Sequence, residues 1–192
     1  MAEKSRRHAL KRMLLASIGL GIASMLPLLK SATPAPLKIP EWPRFKVANI
    51  KDLEVGKPKI FMYPLENTPN ILVKLGKSAQ GGVGPEKDIV AYSQLCQHLG
   101  CFLRFVPAGQ SSQYPDSDTF YCPCHAGIYD IKGQVLAGPP LGSLPQVLLQ
   151  YDEKSQDIFA YNMGPPIIFG KGTPGSSELW RDLMGGTLVK GS

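Results

Sequence analysis

Soft metal ligands are scarce in this chain of 192 residues, which has only four cysteines and three histidines. All four cysteines and two of the histidines lie in two short runs, residues 96–101 (CQHLGC) and 122–127 (CPCHAG). Outside these runs the chain has no thiol and only one imidazole, His8, which excludes a second site of the same kind. We therefore expect the two runs, named here the first and the second ligand loop, to build one metal site together.

Net charge is also scarce beyond the N-terminus. The formal net charge is +6, but residues 1–30 have six basic side chains and one acidic side chain and so account for +5 of it. The remainder of the chain has a net charge of +1. Binding to nucleic acid relies on a basic surface. The nearly neutral remainder therefore excludes a nucleic-acid role.

One long uncharged run precedes the rest of the chain. Residues 13–29 (MLLASIGLGIASMLPLL) are long enough to predict a single transmembrane anchor, and the basic residues before them place the N-terminus in the cytoplasm. Residues 1–12 are a basic leader whose run SRRHALK resembles a twin-arginine export signal. We expect the anchor to be retained, which places the following domain on the periplasmic or extracellular side of the cytoplasmic membrane. Residues 30–44 are rich in proline and predict an extended hinge.

Long helices are disfavoured in the rest of the chain, because 20 glycines and 18 prolines interrupt it. Short runs of β-forming residues between turn residues predict an all-β domain of stacked antiparallel sheets over residues 45–170. The predicted strands are 45–50, 59–63, 70–75, 88–93, 102–106, 119–121, 133–137, 146–152 and 157–163. Both ligand loops fall in an inserted cluster-binding subdomain of about 94–146, residues 76–85 and 108–118 are surface loops, and residues 171–192 form a C-terminal tail.

The spacing of the ligands restricts the metal. The loops read C-x-H-x-x-C and C-x-C-H, and their six candidate ligands are two more than tetrahedral zinc takes. A [2Fe–2S] cluster of the Rieske type takes two cysteines on one iron and two histidines on the other. One cysteine and one histidine from each loop satisfy this demand and leave two cysteines that can form a disulfide. A structural zinc module stays open as an alternative.

The pattern C-x-H-L-G-C followed by C-P-C-H-x-G resembles the Rieske iron–sulfur proteins of cytochrome bc-type complexes. The resemblance covers about 88–169, and the lengthened loops are similar to those of prokaryotic, including archaeal, members. It implies one [2Fe–2S] cluster per chain, with Cys96 and Cys122 as ligands of one iron and His98 and His125 as ligands of the other. It also implies a Cys101–Cys124 disulfide.

The resemblance further implies which residues surround the cluster. Leu99 matches the residue that shields the cluster near the quinol-docking surface, and residues Gly138, Pro139 and Pro140 match the loop that covers it from a third side. Tyr129 matches a hydroxyl donor to a cysteine ligand sulfur. Gly127 departs from the pattern, because quinol-oxidising members usually have a serine donor there. Hydrogen bonds to the sulfurs control the cluster potential, so we expect a potential below that of a member with both donors.

The function implied is that of an electron-transfer subunit and not of a complete enzyme. The chain accepts one electron from a quinol, with a proton taken up at His98 or His125, and passes the electron to a cytochrome c or blue copper protein. A cytochrome b-type membrane subunit is the expected partner. Two alternatives are the Rieske subunit of an exported oxidoreductase, such as arsenite oxidase, and an oxygenase-type Rieske ferredoxin. The latter typically lacks the spare cysteines and the anchor.

Overall fold

The computed structural model describes residues 42–164 and 187–191, which fold into β-structure. One helical turn, the 3-10 helix Ile50–Asp52, is the only helix in these two ranges. The ten strands are β1 (Phe45–Asn49), β2 (Lys59–Met62), β3 (Pro69–Lys74), β4 (Ile89–Ser93), β5 (Arg104–Val106), β6 (Thr119–Cys122), β7 (Gly127–Asp130), β8 (Val135–Ala137), β9 (Gln146–Asp152) and β10 (Asp157–Gly164).

These strands form two antiparallel sheets. The larger sheet has six strands in the order β1-β10-β9-β4-β3-β2, and the smaller has four in the order β5-β6-β7-β8. The four strands of the smaller sheet lie between β4 and β9 in the chain, and β4 and β9 are neighbours in the larger sheet. The smaller sheet is therefore an insertion between two neighbouring strands of the larger sheet. The predicted all-β fold class is confirmed.

Strands β3 and β4 separate two apolar cores. Successive side chains of a strand point to opposite faces of its sheet. Accordingly, Leu72 of β3 points to one face of the larger sheet, where it packs with residues of β1, β9 and β10 in what we call the first core. Its neighbours Ile71 and Val73 point to the opposite face and lie in what we call the second core. Because both faces are covered, all five residues of β4 are buried. The run of four apolar residues in β4, Ile89–Tyr92, is typical of a fully buried strand.

The second core joins the two sheets. It combines side chains of β3 and β4 with side chains of the smaller sheet and the connections beside it, namely Leu103, Phe120, Cys122, Tyr129 and Leu144. Tyr92 of β4 packs edge-on against Phe120, with ring centroids 5.5 Å apart. The Tyr92 hydroxyl donates a hydrogen bond of 3.0 Å to the backbone carbonyl of Ile131. Burial, and to a smaller extent the charge of Asp130, raises the pKa of Tyr92 to about 12, which keeps this hydroxyl a donor at neutral pH.

Two predicted connections had different outcomes. The β9–β10 hairpin is confirmed, and its turn is closed by the Gln156 amide, which donates to the Asp152 carbonyl. Strand β7, by contrast, lies where the sequence predicts the end of the second ligand loop. Cys122 of β6 pairs with Gly127 of β7, so the second ligand loop is a tight hairpin turn.

The leader (1–12), the anchor (13–29), residues 30–41 of the hinge and most of the tail lie outside the described residues. Within the described ranges, no helix is long and apolar enough to cross a membrane. The last described residues return to the domain. Leu188 pairs with Leu65 in an antiparallel bridge, and Val189 is buried in the first core.

Tyr92→Phe tests the link between the sheets. Loss of the hydrogen bond to Ile131 is expected to cost about 1 kcal/mol, which lowers the midpoint of thermal unfolding by about 2–4 °C. Tyr63→Phe is the matched control, because Tyr63 is as buried as Tyr92 but its hydroxyl has no hydrogen-bond partner among the described residues. We expect no loss of stability in this control. Equal losses in the two variants would contradict the role of the Tyr92 hydroxyl.

Candidate metal centre

The two ligand loops are built on different sheets. The first follows β4 and is closed by hydrogen bonds from the Cys96 amide to the Cys101 carbonyl and from the Gly100 amide to the Cys96 carbonyl, both 2.9 Å. The second is the turn between β6 and β7 of the smaller sheet. Within it, Ala126 adopts a positive φ of 55°, a conformation that turns the chain back into β7. Each loop is therefore closed by pairing between its own backbone groups.

A disulfide joins the two loops. It links Cys101 to Cys124, with a Cα–Cα distance of 6.5 Å, and this is the pairing that the resemblance implies. The sulfurs of Cys101, Cys122 and Cys124 all lie within 4.8 Å of one another, but the disulfide removes two of them as metal ligands. Cys96 and Cys122 keep free thiols, and both are buried. The structure thus leaves one thiol in each loop for a metal.

The two histidines of the loops lie side by side. The ring centroids of His98 and His125 are 4.8 Å apart, with the rings nearly perpendicular at 85°. His98 is half-buried, whereas His125 is exposed. The Nδ1 atom of His98 is buried and has no hydrogen-bond partner among the described residues. A buried polar atom without a partner is costly, and a metal bond at this nitrogen would satisfy it.

Tyr129 connects β7 to the first ligand loop. Its hydroxyl accepts a hydrogen bond of 2.9 Å from the Gln97 amide and lies 3.4 Å from the Cys96 sulfur. Because the hydroxyl already accepts from Gln97, its own hydrogen is available to the Cys96 sulfur. Burial, followed by the contact with Cys96, raises the pKa of Tyr129 and keeps the phenol protonated. Tyr129 is therefore placed to donate to a ligand sulfur.

Burial also raises the pKa of the Cys96 thiol, and the neighbouring Cys122 thiol raises it further. Hydrogen bonds from Tyr129 and from the backbone of His98 lower the pKa of this thiol; each of them has a smaller effect than burial and a larger effect than Cys122. The metal-free site therefore favours a neutral thiol at Cys96. A bound cation reverses this preference, because coordination deprotonates a thiol.

Sequence reasoning did not identify the role of Gln97. Its side chain is buried, and its Nε2 atom donates to the Leu95 carbonyl at 2.9 Å, while its backbone amide orients the Tyr129 hydroxyl. The variable x position of C-x-H gives no signal for either contact. Gln97 therefore belongs to the support of the site without being a candidate ligand.

The segment 138–140 lies against the second ligand loop. Pro140 is buried and packs on Gly127, whereas Gly138 and Pro139 are exposed. Two leucines of these loops are exposed to solvent, Leu99 by 37% and Leu141 by 86%. Leu141 was not singled out from the sequence, although it directly follows the two prolines. Exposed apolar side chains therefore directly follow His98 and Pro140 in the chain.

Two buried thiols and two imidazoles are a donor set with two chemical interpretations. Two cysteines and two histidines can hold one zinc ion in a tetrahedral site. The same four residues can hold a Rieske-type [2Fe–2S] cluster, with a pair of ligands on each iron. The types of donor suit either group, so donor chemistry alone does not separate them. Known relatives do.

The family model described as "Rieske [2Fe-2S] domain" matches residues 44–148, more than half of the chain. The iodate reductase subunit IdrB of Denitromonas iodatirespirans is 36% identical over 122 residues, which are 62% of this chain and 62% of that subunit. The cytochrome b6-f complex iron-sulfur subunit of Chlorobaculum thiosulfatiphilum is 28% identical over 130 residues, which are 68% of this chain and 59% of that subunit.

A solved structure agrees with both. The soluble domain of Rieske protein II from Sulfolobus acidocaldarius is 32% identical and superposes with a TM-score of 0.56, covering 69% of this chain and 83% of that domain. The matched regions span less than two thirds of either curated relative. What these proteins share with this chain is the domain that holds the candidate ligands. The chain belongs to the Rieske [2Fe–2S] domain family.

Proposed function

We propose that this chain is a membrane-anchored Rieske subunit that accepts one electron from a quinol and passes it to a cytochrome c or a blue copper protein. The observation that carries the proposal is the arrangement of the four free donors. Two thiols are buried, two imidazoles lie side by side in the same two loops, and one of these imidazoles, His125, is exposed. Such a site has an apolar interior on one side and a solvent-accessible surface on the other.

In this proposal, Cys96 and Cys122 hold one iron of the cluster, and His98 and His125 hold the other. When bound, a [2Fe–2S] cluster supplies reversible one-electron transfer. His98 binds through Nδ1, since this is the nitrogen buried without a partner. Its Nε2 atom is then left to hold a proton. Tyr129 donates a hydrogen bond to the Cys96 sulfur and makes it a weaker electron donor to the iron.

The exposed side of the site suits a quinol. A quinol offers a hydroxyl hydrogen and an apolar ring, and the loops offer the exposed His125 imidazole together with exposed leucines, Leu99 and Leu141. The ring nitrogen of His125 that does not hold the metal would, in its deprotonated form, accept the hydroxyl proton as the electron leaves the quinol for the cluster. The second quinol electron requires an acceptor outside this chain, for which we propose a cytochrome b-type membrane subunit. A relative that is a cytochrome b6-f complex iron-sulfur subunit supports this partner.

Anchorage belongs to the proposal and concerns residues outside the described ranges. Residues 1–12 would serve as a twin-arginine-like leader, 13–29 as the single transmembrane anchor, and 30–44 as the hinge that carries the domain over residues 45–170. The Cys101–Cys124 disulfide supports a location of the domain outside the cytoplasm, because disulfides persist in oxidising compartments. The same disulfide counts against an oxygenase-type ferredoxin.

A second candidate is the Rieske subunit of an exported oxidoreductase that transfers electrons within that enzyme and does not contact quinol. The identity of 36% to an iodate reductase subunit favours it, as does the lack of a side-chain donor at Gly127. The two candidates differ in whether a quinol reduces the chain and whether the mature chain stays in the membrane fraction after an alkaline wash.

The pH dependence of the midpoint potential tests the role of the histidines. Reduction makes the site less positive and favours a proton on the exposed ring nitrogens, so the potential is expected to fall as pH rises into the alkaline range. Voltammetry of the iron-loaded chain measures this directly, and a menaquinol or ubiquinol analogue should reduce the chain in stopped-flow mixing. A pH-independent potential with no reduction by either quinol would contradict quinol oxidation and favour the second candidate.

Tyr129→Phe tests the hydrogen bond to the ligand sulfur. The variant loses the donor to Cys96 and leaves the Gln97 amide without its acceptor. We expect a lower midpoint potential and a less stable chain. Tyr92→Phe is the control, since it removes a buried hydroxyl that bonds a backbone carbonyl and no sulfur. An equal change of potential in the two variants would show that lost packing, and not the bond to sulfur, is responsible.

Cys124→Ser tests the disulfide. Without the bridge the two ligand loops are joined only through the body of the domain, so cluster loss should accelerate and the potential should fall. Removal of a native disulfide costs about 2–5 kcal/mol of stability. Cys101→Ser should reproduce the effect, and the double variant should add little to either. An unchanged potential with full iron content in Cys124→Ser would refute the role of the bridge.

A further inference from the structure

The two edges of the larger sheet approach each other at one point. β1 and β2 stand at opposite ends of the strand order, so in a flat sheet five spacings of about 4.8 Å would separate them by about 24 Å. Instead, the ring of Phe45, the first residue of β1, lies 6.4 Å from the ring of Tyr63, which directly follows β2. The sheet is therefore curled, and its edge strands approach each other without pairing in the described ranges.

Residues 187–191, named here the C-terminal strap, pair with the β2 side of the gap between these edges. Leu188 forms an antiparallel bridge with Leu65, which follows the end of β2 by three residues. The Val189 amide donates a hydrogen bond of 2.9 Å to the Pro64 carbonyl, and the Val189 side chain is buried in the first core. The strap is therefore held by backbone pairing and by apolar burial.

The other end of the strap reaches residues 42–44, which directly precede β1. A Cβ atom placed on Gly191 would lie 3.3 Å from the Arg44 carbonyl oxygen and 3.4 Å from Cβ of Pro43. Distances of this size leave little room for a side chain, so the strap lies directly on this stretch of chain. It therefore bridges the gap from the end of β2 to the residues that lead into β1.

The sheet itself provides further contacts for residues 42–44. Trp42 packs edge-on against Tyr63, with ring centroids 6.2 Å apart. The Arg44 guanidinium lies over the Phe159 ring of β10, 3.3 Å from its centre, and Arg44 Nε donates to the side-chain oxygen of Gln150 in β9 at 3.5 Å. All three residues before β1 are therefore packed on the domain, and the strap supplies the contact to Pro43.

We propose that the C-terminal strap is a conformational device that locks residues 42–44 onto the domain and so excludes them from the hinge. The inference rests on the hinge of the proposed function, from which it removes three residues and thus about 9 Å of extended chain. Release of the strap would return these residues to the hinge. The strap thereby limits how far the domain can travel from its anchor.

The position of the strap separates its effect from that of the candidate ligands. Val189 belongs to the first core, whereas Cys96 and Cys122 belong to the second core on the opposite face of the larger sheet. Release of the strap should therefore leave the EPR signal of the reduced chain unchanged. An effect on residues 42–44 can then be measured in a chain whose metal centre is intact.

Val189→Asp tests the lock, because it places a carboxylate in the first core and forces the strap to leave. Hydrogen–deuterium exchange of the iron-loaded full chain should then be about tenfold or more faster at the amides of residues 44–47, with no change in β4. Lys190→Asp is the matched control, since it adds the same carboxylate at an exposed position of the strap. Deletion of residues 187–192 should reproduce the effect without adding a charge.

Cleavage by trypsin gives a second measurement, because the bond after Arg44 lies in the locked stretch. We expect this bond to be cut faster in Val189→Asp and in the deletion than in Lys190→Asp. Equal cleavage and equal exchange in all of these variants would overturn the proposal, since residues 42–44 would then be held by the sheet alone. Faster exchange in β4 as well would also overturn it, because the strap would then support the whole fold. Failure of the proposed function is seen separately, as an unsubstituted chain that no quinol reduces.

Discussion

The burial of two free thiols in the core between the sheets is the constraint on which the rest of the site depends. Cys96 and Cys122 pack in the same apolar core as residues of β3, β4, β6 and β7. The ligands are therefore held by the same contacts that stack the sheets, and the site is an extension of the core. Protein interiors are close-packed and yield little. A change in the spacing of the sheets would consequently move one thiol relative to the other.

This constraint produces an asymmetric site. The thiols face the apolar core, where Tyr129 and the Gln97 amide meet beside the Cys96 sulfur. The His125 imidazole is exposed and the His98 imidazole is half-buried, and the exposed leucines Leu99 and Leu141 lie in the adjoining loops. In the proposed function, buried hydrogen bonds on the thiol side adjust the potential of the cluster. The imidazole side exchanges electrons and protons with partners. The two tasks can then be altered by substitutions in different residues.

Much of the fold could be predicted from the sequence because its strands have clear boundaries. Nine strands were predicted, and the tenth, β7, was missed because it begins at Gly127, the last residue of the second ligand loop, with no separate turn signal before it. Only the pairing of Cys122 with Gly127 makes the loop a hairpin. The motif also indicated which residue types gather at the site. It could not show that Gly127 lies beneath Pro140, since that contact depends on where a later loop returns.

The same limit applies to the surface loops, which are fixed by partners far away in the sequence. Residues 76–85 and 108–118 read as loops of small and polar residues, yet Lys77 of the first forms an ion pair with Asp118 of the second. Asp118 also accepts a hydrogen bond from the Ala108 amide and directly precedes β6, the strand that ends in Cys122. The ion pair therefore joins the loop between β3 and β4 of the larger sheet to the start of the β6–β7 hairpin, which holds Cys122 and His125. The composition of each loop correctly predicts that it is polar. The ion pair between the two loops could not be predicted, because it forms only when the fold brings them together.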